Sequence, residues 1–178
     1  IYLPKTEYKS ISINETTGDI ELPKNFKFEN VDISASTGDV DFSASAFNLI
    51  KIKTDTGSIR VDNSSAKTIN LSASTGKIAV SNVKCNGNIN ISVTSGKTDL
   101  RNIKCKNLTS SGDTGDLLLN SVIASEKFSI ERTTGDVKLD DCDAAEIKIL
   151  TDTGDVNGSF GSEKIFFVET DTGDVNVP

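Results

Sequence analysis
Val31-Asp32-Ile33-Ser34-Ala35-Ser36-Thr37-Gly38-Asp39-Val40-Asp41-Phe42 sets the pattern of the chain: apolar and polar residues alternate up to a glycine and alternate again beyond it. The same arrangement returns at Gly18, Gly57, Gly76, Gly96, Gly115, Gly135, Gly154 and Gly173, always 19 or 20 residues apart. Apolar residues keep step with it. Seven residues before each glycine stand Ile11, Val31, Ile50, Ile69, Ile89, Leu108, Phe128, Ile147 and Phe166; two after it stand Ile20, Val40, Ile59, Ile78, Thr98, Leu117, Val137, Val156 and Val175. A fixed period of this size is the mark of a repeat architecture. Alternation with period two is that of a half-buried strand, and nothing recurs at helical spacing.

Each repeat reads as two short strands joined at a glycine corner, where positive φ is cheap only without a Cβ. The flanking Thr, Ser and Asp residues can hydrogen-bond the nearby backbone, as turn residues do. One repeat cannot bury its own apolar face, whereas stacked repeats can, each strand pairing with its equivalent in the next. The expectation is an all-β fold, a parallel β-solenoid of nine coils, right-handed by the general crossover preference. At ~4.8 Å per coil the rod is ~40 Å long. Residues 1–178 form one repeat domain, with 1–9 as an N-terminal cap segment in which Pro4 discourages strand pairing. The connectors after the second strand read as a looser, irregular third side. At coil six, Ser110 and Gly112 replace inward apolar residues, so a bulge is expected there.

The chain has 26 acidic and 19 basic residues, a net charge of −7. That balance, with no Lys/Arg run, is a poor match for nucleic acid or anionic lipid. No apolar stretch approaches the roughly 20 residues of a membrane span, so no direct insertion is expected from this segment. The chain contains no Met and begins Ile1-Tyr2-Leu3-Pro4. It therefore reads as a processed or trimmed piece from which a targeting segment has been removed.

Cys85 and Cys105 fall in one inward column, read as Phe47, Ala66, Cys85, Cys105, Ala124 and Ala144. Buried free thiols are the expectation, with a Cys85–Cys105 disulfide as the alternative that in-register neighbours allow. Cys142 faces inward on another column. Without His, neither a usual zinc site nor a serine–histidine pair can be assembled. Asp55-Thr56-Gly57 and its counterparts at Asp113, Asp152 and Asp171 match a short aspartic-protease signature. Other coils carry Thr16, Ser36, Ser74, Thr94 or Thr133 at the Asp position, so turn formation explains the motif. No catalytic residue and no cofactor is assigned.

Asp116, Asp136, Asp155 and Asp174 occupy one turn position in four successive coils, with Asp113, Asp152 and Asp171 three residues earlier in three of them. Like charges so stacked repel, and calcium would relieve the repulsion. The alternative is that each Asp bonds the amides of its own turn. These residues are candidates for calcium only, and no metal is assigned. Two cross-coil ion pairs are expected, Lys97 with Asp116 and Asp41 with Arg60. Asn70, Asn90 and Thr109 form one outward ladder. Leu118, Leu150, Ile165 and Phe167 stand where other coils are polar, and Leu150, Ile165 and Phe167 are the candidate interface, covered by further chain or by a partner subunit.

Ser36-Thr37-Gly38-Asp39-Val40, Asp152-Thr153-Gly154-Asp155-Val156 and Asp171-Thr172-Gly173-Asp174-Val175, with their flanking alternation, resemble a family of bacterial adhesin-type domains of unknown function built from Thr-Gly-Asp-Val/Ile coils. The resemblance spans essentially the whole chain. Ser58, Lys77 and Lys97 depart from the Asp of the motif. It implies a β-helical protein of the cell envelope or surface, outside the cytoplasm and tethered by an anchor not in this segment. It supplies no catalytic residues. The expected function is a non-enzymatic surface module, an adhesion or interaction scaffold for an unknown surface ligand or envelope protein. The alternatives are a carbohydrate-active β-helix enzyme and a structural spacer that self-associates through its ends.

Overall fold
The computed structural model describes residues 7–161 and 165–177, and most of the 1–9 segment, with Pro4, lies outside them. The described residues contain no helix. Seventeen strands follow in order: β1 (Glu7–Thr17), β2 (Ile20–Leu22), β3 (Lys27–Thr37), β4 (Val40–Phe42), β5 (Ser45–Thr56), β6 (Ile59–Asp62), β7 (Ser65–Ala66), β8 (Thr68–Thr75), β9 (Ile78–Cys85), β10 (Asn88–Ser95), β11 (Thr98–Thr114), β12 (Leu117–Thr134), β13 (Val137–Cys142), β14 (Glu146–Thr153), β15 (Val156–Phe160), β16 (Ile165–Thr172) and β17 (Val175–Asn176). Every pairing is parallel and joins one coil to the next: Ile11 to Val31, Val31 to Ile50, Ile50 to Ile69, Ile69 to Ile89, Ile89 to Leu108. The protein is a parallel β-solenoid of nine coils. Glu7, Tyr8 and Lys9 belong to β1, with Glu7 and Tyr8 registered on Lys27 and Phe28.

The glycine corner is required twice over. All nine repeat glycines have φ between +123° and +149°, a region that L side chains avoid. Stacking then places each glycine on the carbonyl of the one before: a Cβ on Gly76 would lie 1.9 Å from the Gly57 carbonyl oxygen. The backbone ladder runs unbroken through the corner, since Gly57 N donates to Thr75 O at 2.9 Å and Ile59 N to Lys77 O at 2.8 Å.

Six residues later the chain turns again. Asn63, Asn82, Asn102, Ser121 and Asp141 have φ from 50° to 54°, the left-handed conformation that short polar side chains tolerate best. Asn102 Nδ2 donates to Asn82 Oδ1 at 2.7 Å, and Asn82 Nδ2 to Asp62 Oδ1 at 3.1 Å. The expectation of an irregular third side holds in the first three coils, where residues 23–26, 43–44 and 63–64 are not strand, and is corrected in the middle coils, where β9, β11 and β12 continue through the second corner as strand.

The interior is filled by the expected columns. Ile33, Ile50, Ile69, Ile89, Leu108, Phe128 and Ile147 are all 1% exposed or less. Complete burial of such a side chain stabilises by about 1.5–3 kcal/mol.

Two expectations fail. Phe47 is 84% exposed and Ala46 takes its inward place at 6%. The register of β3 on β5 shifts between Phe28 and Asn30, so Phe47 and Asn48 both face Glu29, and this bulge expels the ring. Coil six carries no bulge at Ser110 and Gly112, because Ser110 stays in register with Ile91 and Ile130, and Gly112 with Val93 and Arg132. The missing volume is taken up by Arg132, which is 4% exposed. Its guanidinium donates to Ser110 Oγ at 2.9 Å and to the Glu131 carbonyl at 2.8 Å. A Cβ on Gly112 would come within 3.0 Å of it. Burial lowers the Arg132 pKa to about 10, which leaves it charged at neutral pH. Buried charges without a carboxylate partner are costly. Arg132→Met is therefore expected to leave stability unchanged or to raise it by about 1–2 kcal/mol in urea denaturation, whereas Arg132→Ala, which empties the space, lowers it.

Candidate functional site
The Asp column does a job the sequence reading did not foresee. Asp39 N donates to Asp19 Oδ1 at 2.9 Å, Ser58 N to Asp39 Oδ1 at 2.7 Å, Asp136 N to Asp116 Oδ1 at 3.2 Å, Asp155 N to Asp136 Oδ1 at 2.9 Å and Asp174 N to Asp155 Oδ1 at 2.9 Å. Each carboxylate thus caps the corner amide of the following coil, not its own turn. Among the described residues no three His, Cys, Asp or Glu side chains, Asp152 and Asp171 included, come together as a metal cluster. Asp155→Ala is expected to cost about 1 kcal/mol and Asp155→Asn less, because the amide oxygen still accepts; urea midpoints distinguish the two.

The three cysteines are buried free thiols. Burial pushes all three thiols up, Cys105 to about 12 with neighbouring Cys85 adding to the shift. A disulfide-exchange reagent near pH 8 should label none of them until the chain is unfolded in denaturant, when all three react.

Lys97 meets Asp116 at a long 3.9 Å, with both side chains about half exposed. Asp41 and Arg60 are register partners, yet their charged ends form no ion pair. Asn90 Nδ2 donates to Asn70 Oδ1 at 2.8 Å, and Thr109 is the next register partner on that ladder. On the last coil Ile165 is 72% and Phe167 50% exposed, while Leu118 and Leu150 are half-buried.

A shaped part of the surface lies on the side that follows the glycine corner. Three residues after each glycine, the outward column reads Asp41, Arg60, Ala79, Asp99, Leu118 and Lys138, register partners coil by coil. The small side chain of Ala79 leaves a depression of about 470 Å³, rimmed by Asp41, Arg60, Lys77, Ser81, Asp99 and Arg101. Its polar groups are held in place. Asp99, only 8% exposed, accepts from Arg101 Nε at 2.8 Å and from the second guanidinium nitrogen at 3.0 Å, and pairs with Lys77 Nζ at 3.4 Å. Burial pushes the Asp99 carboxyl up, but the bonds and charges of Arg101 and Lys77 outweigh it and hold the group below its usual range. At one rim, Asp62 accepts from Ser81 Oγ at 2.6 Å, and this bond, with those from Asn82 and Asn63, likewise outweighs burial and lowers its pKa. The sequence reading did not single out Asp99. Its signal was an alanine set between Asp41, Arg60 and Asp99 in the outward column.

Because both carboxyls titrate below 3.8 in the folded chain, their stabilisation is complete above that value and is lost as pH falls through the folded values. The urea midpoint should drop as the pH is lowered past 3.8, and drop less in an Asp62→Asn, Asp99→Asn double variant.

These features define a class: a parallel β-solenoid with apolar columns inside and hydrogen-bonded polar ladders outside. The family model described as Toastrack DUF4097 matches residues 1–92 and again 86–178, and the chain belongs to that family, whose function is unknown. No curated protein and no solved structure matches it.

Proposed function
We propose that the domain is a non-enzymatic interaction scaffold of the cell surface or envelope, tethered by an anchor outside this sequence, that binds a ligand at the depression over Ala79. The observation carrying this reading is the fixed Lys77–Asp99–Arg101 cluster at its rim. Its donors and acceptors are set by neighbouring coils before a ligand arrives, so little ordering entropy is lost on binding. The same cluster favours binding over the carbohydrate-active alternative. A glycosidase acid needs a raised pKa to hold its proton, and the carboxyl most buried in this depression is shifted the other way. Closely spaced donors and acceptors suit a hydroxyl-rich ligand such as a glycan.

The last coil favours a second reading, a spacer that associates end to end, because Ile165, Phe167 and Val175 are 72%, 50% and 45% exposed there. A glycan array run beside light scattering separates the two. Glycan binding lost in Arg101→Ala, with the protein monomeric, supports the Ala79 site. Association abolished by Phe167→Ser, with an empty array, replaces it with the spacer.

A further inference from the structure
The charge of the chain is unevenly placed. Residues 51–106 carry ten basic and three acidic residues, a net charge of +7, while the rest carry nine basic and twenty-three acidic, −14. A basic belt therefore encircles coils three to five of an acidic rod, a pattern that the total of −7 conceals.

Many of these cations are matched. Lys51 pairs with Asp32, Lys53 with Asp55, Lys77 and Arg101 with Asp99, and Lys106 with Glu126. On the third side, Lys67, Lys84 and Lys104 are exposed and meet no carboxylate among the described residues. Lys84 and Lys104 are register partners, one coil apart. Like charges directly opposite on paired strands destabilise, and a solenoid needing only register would place Ser, Thr or an opposite charge there. Apolar groups bracket the lysines. Ile123, the next register partner of Lys104, is 43% exposed. At the other end Phe47, 84% exposed, sits one coil before Lys67, between the Ser65–Ser45 contact and the Leu49–Thr68 pair.

We propose that this strip, Phe47–Lys67–Lys84–Lys104–Ile123, is a docking surface for a short, extended acidic segment of a partner protein, with an apolar residue at each end of its run of carboxylates. Charge complementarity selects an acidic ligand. Four coil steps rise about 19 Å, and because Lys84 lies opposite Ser65 the strip shifts by two residues between Lys67 and Lys84, a diagonal about as long as six residues of strand. The acidic groups beyond either end of the strip, Glu29 before Phe47 and Asp143 after Ile123, oppose a broad anionic face such as a bilayer. The proposal rests on the scaffold reading but concerns another side of the rod, so its failure leaves the glycan test of the Ala79 site standing.

The test titrates the intact chain into a fluorescein-labelled synthetic octapeptide, with a leucine at each end of six alternating glutamates and serines, followed by anisotropy. Binding is expected to weaken as salt rises. Lys84→Gln with Lys104→Gln should weaken it about tenfold or more and Phe47→Ser several-fold, while Lys148→Gln, on another side, leaves it unchanged. No binding of the peptide at millimolar protein, or binding indifferent to the lysine changes, overturns the proposal. So does lysine-dependent binding of phosphatidylglycerol vesicles without binding of the peptide.

Discussion

Gly76→Ala is expected to destabilise the domain by at least about 3 kcal/mol and to break the stack locally. Two effects combine. The residue sits at φ +143°, and its Cβ would stand 1.9 Å from the Gly57 carbonyl oxygen and 2.6 Å from its carbon, both backbone atoms that cannot swing aside. Relief requires coils three and four to separate at the corner, which breaks the bonds from Gly57 N to Thr75 O and from Ile59 N to Lys77 O. Gly18→Ala tests this account, because the first described corner has the same conformation, φ +141°, but only the Glu15 side chain nearby, at 3.9 Å. It should show the conformational strain alone, about 1–2 kcal/mol. Gly161→Ala, with nothing within 4 Å, should be near neutral. Urea denaturation of the three variants gives the ordering, and a Gly76→Ala protein as stable as Gly161→Ala would contradict the stacked-corner account.

Phe128→Ala is the second large effect, with an expected loss of about 3–5 kcal/mol. The ring is fully buried and registers on Leu108 and Ile147 in the coils on either side. Both neighbours are held by their own ladders, so the space collapses poorly. Phe47→Ala should lose less than about 0.5 kcal/mol, since that ring is 84% exposed. A solenoid is stabilised by nearest-neighbour interfaces, so the damage at Phe128 should be centred on coils six to eight. Hydrogen exchange should find the amides of β12 and β14 unprotected in Phe128→Ala while those of β3 and β5 keep their protection.

The coils and their register were legible because period and burial obey one rule. A strand that pairs with its own equivalent repeats every requirement one coil later, so Gly18 to Gly173 and the columns through Ile50 and Ile89 report the same geometry nine times. Phe47 broke the rule because register was counted from the glycine, and a coil one residue shorter absorbed the difference in a bulge. Arg132 was missed for a related reason: an arginine at an inward position gives no sign of burial until Ser110 and Gly112 are seen to leave room beneath it. The second corner could have been read from the Asn, Ser or Asp standing six residues after the glycine at positions 63, 82, 102, 121 and 141.

What lay within reach of one dimension was whatever the chain must repeat: strand alternation, the glycine corner, the filling of the interior and the absence of histidine chemistry. What needed three dimensions was whatever depends on the meeting of unlike coils. Asp39 reaching the amide of Ser58, Lys77 reaching Asp99, and Lys84 set against Lys104 join residues 19 to 22 apart in the chain. Their partners are chosen by stacking order and side-chain reach. The period places such residues on one side of the rod, but only the packed coils determine which of them touch.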